Sequence, residues 1–95
     1  MKIEDNIKVL EQVEERTELM PMYKVIVHDD DVNTMDFVVQ VFQEVFKYEL
    51  EKCVEHMLEV HNTGISLLKV EPLEHAELHM DQLRSFGLTS TIEPE

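Results

Sequence analysis

The chain has 95 residues, room for one small domain with a thin core. Hydrophobic residues make up 43% and charged residues 31%, values of a globular chain rather than a disordered one. Its net charge of −13 opposes nucleic-acid backbones and anionic membranes, and points to a basic protein surface or a small cationic group as partner. The plainer reading is that the acidity only keeps the protein soluble.

Residues 1–22 carry six acids, three bases, no Gly and no aromatic residue. Ile3, Ile7, Leu10 and Val13 recur at helical spacing, and Pro21 forbids a smooth helical continuation. We expect residues 1–21 to form a mobile tail and residues 22–95 a core domain. The apolar core of a signal peptide is missing, no apolar run is long enough to cross a bilayer, and the lone Cys53 has no internal disulfide partner. A cytoplasmic protein is expected.

Tyr23 to His28 is a short β-branched run and reads as the first strand. The polar loop Asp29-Asp30-Asp31-Val32-Asn33-Thr34 follows, with Asn33 or Thr34 suited to cap a helix. Met35 to Phe46 predicts a helix apolar on more than one side. Tyr48 interrupts it, and a second helix is predicted from about Glu49 to Asn62. Leu50, Cys53, Val54, Met57, Leu58 and His61 share one face of that helix, with Val60 beside it. Gly64 suits its C-terminal stop. Ile65 to Val70 predicts a second strand. Pro72 then opens a third helix, Leu73 to Phe86, with Ala76, Met80 and Leu83 inward. Gly87 ends it, and Leu88 to Ile92 is a short third strand. The order β-α-α-β-α-β predicts an α+β domain, with helices on one face of a small sheet.

Three features carry chemistry. Three carboxylates on one short loop repel one another, and a cation would relieve the strain; alternatively one Asp serves the turn and the others are solvated. His61, on the apolar stripe, is either a core histidine or a hydrogen-bonding group at the rim of an apolar pocket. His75 and His79 stand i, i+4 on the third helix, but the donor set falls short of a zinc site, so no metal and no other cofactor is expected. No phosphate loop or nucleophile elbow is present, and Cys53 lies on an apolar helix face, so no enzyme is expected.

Several short motifs resemble those of the ClpS adaptors: Met22-Tyr23-Lys24-Val25-Ile26, the acidic loop Asp29-Asp30-Asp31, Met35-Asp36-Phe37-Val38, and Met57-Leu58-Glu59-Val60-His61 followed by Gly64. The match runs from about Pro21 to the C-terminus. It implies the fold of the ribosomal stalk protein's C-terminal domain, a three-stranded antiparallel sheet packed against three helices. It also implies an adaptor that binds an N-terminal Leu, Phe, Tyr or Trp bearing a free α-amino group and delivers the substrate to a Clp ATPase, ClpA-like or ClpC-like. By resemblance, Asp29, Asp30 and His61 face the α-amino end, while Asp31, Asn33, Met35, Val38, Met57 and Val60 line or border the socket, with Met35 as a gate at its mouth. Glu74, Glu77 and His79 fall on the face that meets the ATPase, and the tail enters it. Two positions depart from the family pattern: Asp29 stands for the usual Asn, and His79 for a frequent Lys. The competing expectation is a stalk-like protein-binding module of the same fold without an amino-acid pocket.

Overall fold

A computed structural model describes residues 20–95. The residues expected to form the tail lie outside it, apart from Met20 and Pro21. The elements are β1 (Met22–His28), α1 (Met35–Phe46), α2 (Leu50–Thr63), β2 (Ile65–Pro72), α3 (Leu73–Ser85) and β3 (Thr89–Pro94). The three strands form one antiparallel sheet in the order β2-β1-β3. Helices α2 and α3 lie against the sheet, and α1 packs on both of them.

The central strand carries an unbroken β-branched run, and Val25, Ile26 and Val27 are all buried. Val25 and Val27 join Val41, Phe42, Cys53, Val60, Leu68, Ala76, Leu83 and Leu88 in one core cluster. Helix α1 begins where Thr34 takes an extended conformation and its hydroxyl accepts the Phe37 N–H at 3.2 Å. Thr34, rather than Asn33, is therefore the cap. Helices α2 and α3 both end at a glycine in the left-handed region. Gly64 (φ 91°) donates its N–H to the Val60 carbonyl. At Gly87 (φ 89°), the Leu88 N–H reaches the Leu83 carbonyl and the Gly87 N–H the Arg84 carbonyl, the paired bonds of a Schellman turn.

Two details depart from the sequence pattern. The first is the face of α2. Its buried residues are Cys53 and Val60, while Leu50 and Leu58 are about half exposed and His61 is exposed. The inward face is thus rotated from the expected stripe towards His56, whose Nδ1 lies 2.8 Å from the Ser66 hydroxyl of β2. His56 also packs edge-on against Phe42 and stacks with Tyr48. An aromatic ring with a polar partner on the sheet fills that space better than the leucines do. Burial, with Lys52 nearby, pushes the His56 pKa down and keeps the ring neutral.

The second detail lies in β2. Its pairing with β1 slips by one residue between Val25 and Ile26, so Val27 faces Ser66 but Val25 faces Lys69 and Tyr23 faces Glu71. Paired residues share a face of the sheet. Strict alternation from Ser66 and Leu68 would turn Glu71 to solvent; the bulge turns it to the helices instead. Glu71 is buried, its Oε1 meets His79 Nδ1, and its Oε2 lies 3.6 Å from Lys69 Nζ. His79 also packs on Phe46.

The left-handed C-cap yields a prediction. A Cβ added at Gly64 meets nothing within 4 Å, so only backbone strain opposes it. Gly64→Ala should lower stability by about 1–2 kcal/mol in urea unfolding, and Gly64→Asn by less, since Asn tolerates this conformation better. Equal losses for the two variants would refute the assignment to backbone strain.

Candidate functional site

The end of β1, the acidic loop, the start of α1, the end of α2 and the turn before β3 line a cavity of about 330 Å³. Every residue expected at the pocket lines it: Asp29, Asp30, Asp31, Asn33, Met35, Val38, Met57, Val60 and His61. The sequence reading missed Val27, His28, Thr34 and Leu88, which line it too. Alternation along β1 was the available signal for Val27, which shares the helix-facing side with Val25. Leu88 gave no signal, because it reaches the cavity only through the turn at Gly87.

The cavity has two chemically distinct ends. Val27, Val60 and Leu88 are core residues, 1%, 5% and 4% exposed, and Val38 and Met57 are partly buried against them. At the other end stand the exposed Asp29, Asp31 and His61, with Met35 43% exposed beside them. The exposure of His61 sets aside the core-histidine reading.

Asp30 organises the acidic loop. Its Oδ1 accepts the N–H of Val32 at 2.9 Å and of Asn33 at 2.8 Å, while its Oδ2 accepts the Asn33 amide at 3.0 Å. Burial pushes the Asp30 pKa up, but the hydrogen bonds from Asn33 and Val32 outweigh it and hold the carboxyl below the ordinary carboxylate range. Two further bonds fix the loop to the rest of the domain. The Asp29 N–H donates to the Gly64 carbonyl at 2.8 Å, and the Asn33 amide donates to the Gly87 carbonyl at 3.0 Å. His61 sits one turn before Gly64, so the first bond sets the carboxylates beside the imidazole.

Around α3 the expected residues do not form one surface. Glu74 and Glu77 are exposed, as is Leu78, but His79 is turned inward onto Glu71 and Phe46. His79 therefore offers no free cation on the face that carries Glu74 and Glu77. His75, by contrast, is exposed. Among the described residues, no group of three or more His, Cys, Asp or Glu side chains is placed to hold a metal ion. Burial pushes the Cys53 thiol up and disfavours the reactive thiolate. No helix among the described residues is long and apolar enough to cross a membrane.

An acidic rim above an apolar socket suits a ligand that joins a cation to a large apolar group. Fold and site thus define a small α+β recognition domain. Residues 18–91 match the family model described as ATP-dependent Clp protease adaptor protein ClpS. The ATP-dependent Clp protease adapter protein ClpS of Synechococcus sp. (strain CC9902) is 43% identical over 89 residues, covering 93% of this chain and 83% of that protein. The Gloeobacter violaceus protein of the same name is 38% identical over 89 residues, 93% of this chain and 96% of its own. Among solved structures, Agrobacterium tumefaciens ClpS2 bound to L-phenylalaninamide superposes with a TM-score of 0.69 at 27% identity, covering 79% of this chain and 98% of that one. The chain belongs to the ClpS family of Clp protease adaptors.

The Asp30 turn has a testable pH dependence. A folded-state pKa below the unfolded value of about 3.9 stabilises the loop above that pH, and the contribution is lost as pH falls through the lower folded value. The Val32 and Asn33 amide resonances should therefore stay unchanged from neutral pH down to about 4 and move only below it. A transition centred well above that value would refute the hydrogen-bond assignment.

Proposed function

We propose that the cavity receives the N-terminal residue of a substrate protein and that the adaptor then delivers that protein to a Clp ATPase. The observation that carries this reading is the pairing of exposed Asp29, Asp31 and His61 with a socket floored by core residues. Asp29 and Asp30 face the α-ammonium with His61 hydrogen-bonding beside them, and the exposed Asp31 adds its charge at the rim. Val27, Val38, Met57, Val60 and Leu88 surround the side chain. Asp29 accepts only, where the family's usual Asn also donates, so this rim favours a cation more strongly. The solved relative carries L-phenylalaninamide, which has a free amine and an apolar side chain. The same chemistry favours this reading over a stalk-like module without an amino-acid pocket.

Delivery uses other parts of the chain. The exposed Glu74 and Glu77 of α3 meet the ATPase, and the segment before the core, residues 1–21, enters it. Because His79 is held by Glu71, this adaptor contributes carboxylates and the exposed Leu78 to that contact rather than a cation. The reading holds for a ClpA-like or a ClpC-like partner, in the cytoplasm.

Three measurements test the reading. A peptide beginning with Leu or Phe should bind in a titration, and its N-acetylated twin should not, because acetylation removes the charge that the carboxylates attract. Equal binding of both peptides sinks the pocket. A second test concerns Met35, exposed at the mouth at the start of α1. A bulky side chain there collides with the branched β carbon of Ile or Val and passes that of Leu, so it selects by exclusion. Met35→Ala should admit peptides beginning with Ile or Val and leave Leu binding nearly unchanged; a Leu-over-Ile preference that survives intact assigns the gate elsewhere. Third, removal of residues 1–19 should leave peptide affinity near that of the full chain and slow substrate degradation by the ATPase-protease. Undiminished degradation would overturn the role of that segment.

A further inference from the structure

Asn33 makes contacts that a simple pocket-lining residue does not need. Its amide nitrogen donates to Asp30 Oδ2 and to the Gly87 carbonyl, each at 3.0 Å, and its backbone N–H donates to Asp30 Oδ1 at 2.8 Å. Both amide partners are acceptors only, so the nitrogen end must point at them. A primary amide has two N–H bonds, and both are engaged. Gly87 lies in the Schellman turn directly before Leu88, which is 4% exposed and forms a wall of the cavity. Asp30 belongs to the rim. One side chain therefore joins rim to wall across 54 positions of sequence.

We propose that Asn33 is a positioning residue that sets the distance between the ammonium end of the site and the Leu88 wall, acting through Asp30 and Gly87 rather than by holding the substrate. The proposal rests on the reading of the cavity as a receptor for N-terminal residues. It divides the labour of the acidic loop. The Asp30 oxygens accept three hydrogen bonds within the loop, which fixes the direction of its charge, while Asp29 and Asp31 are the fully exposed carboxylates of the rim. It also explains how a short surface loop can measure a side chain. With the brace in place, cation site and wall keep a fixed separation, and the pocket reads the length of the residue between them. Without it, the loop and the Gly87 turn move independently, and each ligand must order them on binding.

The test uses the full chain with Asn33→Ala and Asn33→Asp. Asn33 is partly buried but lies outside the core cluster, so both variants should fold. In the ligand-free protein, Asn33→Ala should shift the Leu88 methyl resonances. Peptides beginning with Leu and with Phe should both bind about tenfold more weakly or worse, and the Leu-to-Phe affinity ratio should change. Asn33→Asp keeps the shape but sets an acceptor against the Asp30 carboxylate and the Gly87 carbonyl. It should bind worse than Asn33→Ala at about pH 7.5 and recover relative to the unmutated protein towards about pH 5.5, as a carboxyl raised by its like-charged neighbour protonates and regains a donor. A role in general loop stability alone would weaken both peptides by the same factor and leave the Leu-to-Phe ratio unchanged. Unmoved Leu88 signals, or an unchanged Leu-to-Phe ratio in variants whose parent binds, overturn the proposal. Failure of the unmutated protein to bind either peptide overturns the pocket reading instead, while the ligand-free Leu88 shift still decides the brace.

Discussion

The acidic loop is held at both ends by the carbonyls of two glycines, and the site depends on those two bonds. Gly64 ends α2 and Gly87 ends α3, each in a left-handed conformation that closes its helix and frees its own carbonyl to face the loop. The Asp29 N–H takes one carbonyl and the Asn33 amide takes the other. Three carboxylates in sequence repel one another, and an untethered loop would spread them into solvent. Tethering keeps the charges beside His61 on one side and the Leu88 wall on the other. The glycines thus do more than stop helices: they fix where a loop of like charges can sit.

The socket is continuous with the core. Val27, Val60 and Leu88 line the cavity and also belong to the main cluster with Phe42, Cys53 and Leu83. A domain this small cannot build a separate scaffold for a pocket. The economy makes the floor of the site as rigid as the core, and confines adaptability to the rim, where Met35 is exposed and unbranched. It also means that any substitution on the floor disturbs stability and ligand fit together.

Much of the architecture was legible because the signals were local. The β-branched run of β1, the capped start of α1 at Thr34, and the glycines after α2 and α3 each state their conformation within a few residues. The element order followed, and the three-stranded antiparallel sheet with three helices agrees with it. Periodicity failed where packing overrode it. Leu50 and Leu58 fit the apolar stripe of α2, yet His56, with a hydroxyl partner on β2 and aromatic neighbours, took the inward position. The sequence pattern puts His79 on an exposed face of the third helix and Glu71 just beyond the predicted end of the second strand. A one-residue bulge reversed the parity of the strand and brought them together.

The sequence by itself determined the type and order of the elements, the acidic loop and the residue types at the rim, since these depend on backbone preferences and charge along a short stretch of chain; the strand ends, Pro72 for β2 and Pro94 for β3, lie two residues beyond the predicted ones. It also carried the family motifs, of which the acidic loop, Met35, Val38, Met57, Val60 and His61 line one cavity. Tertiary structure alone decided which face α2 buries, that Glu71 and His79 pair, and that Leu88 closes the socket. Each of those outcomes depends on the register between strands or on contact between segments far apart in the chain. Register is set by a ladder of hydrogen bonds to another strand, and a single slipped residue turns every later side chain to the opposite face. Nothing written along one strand records that slip.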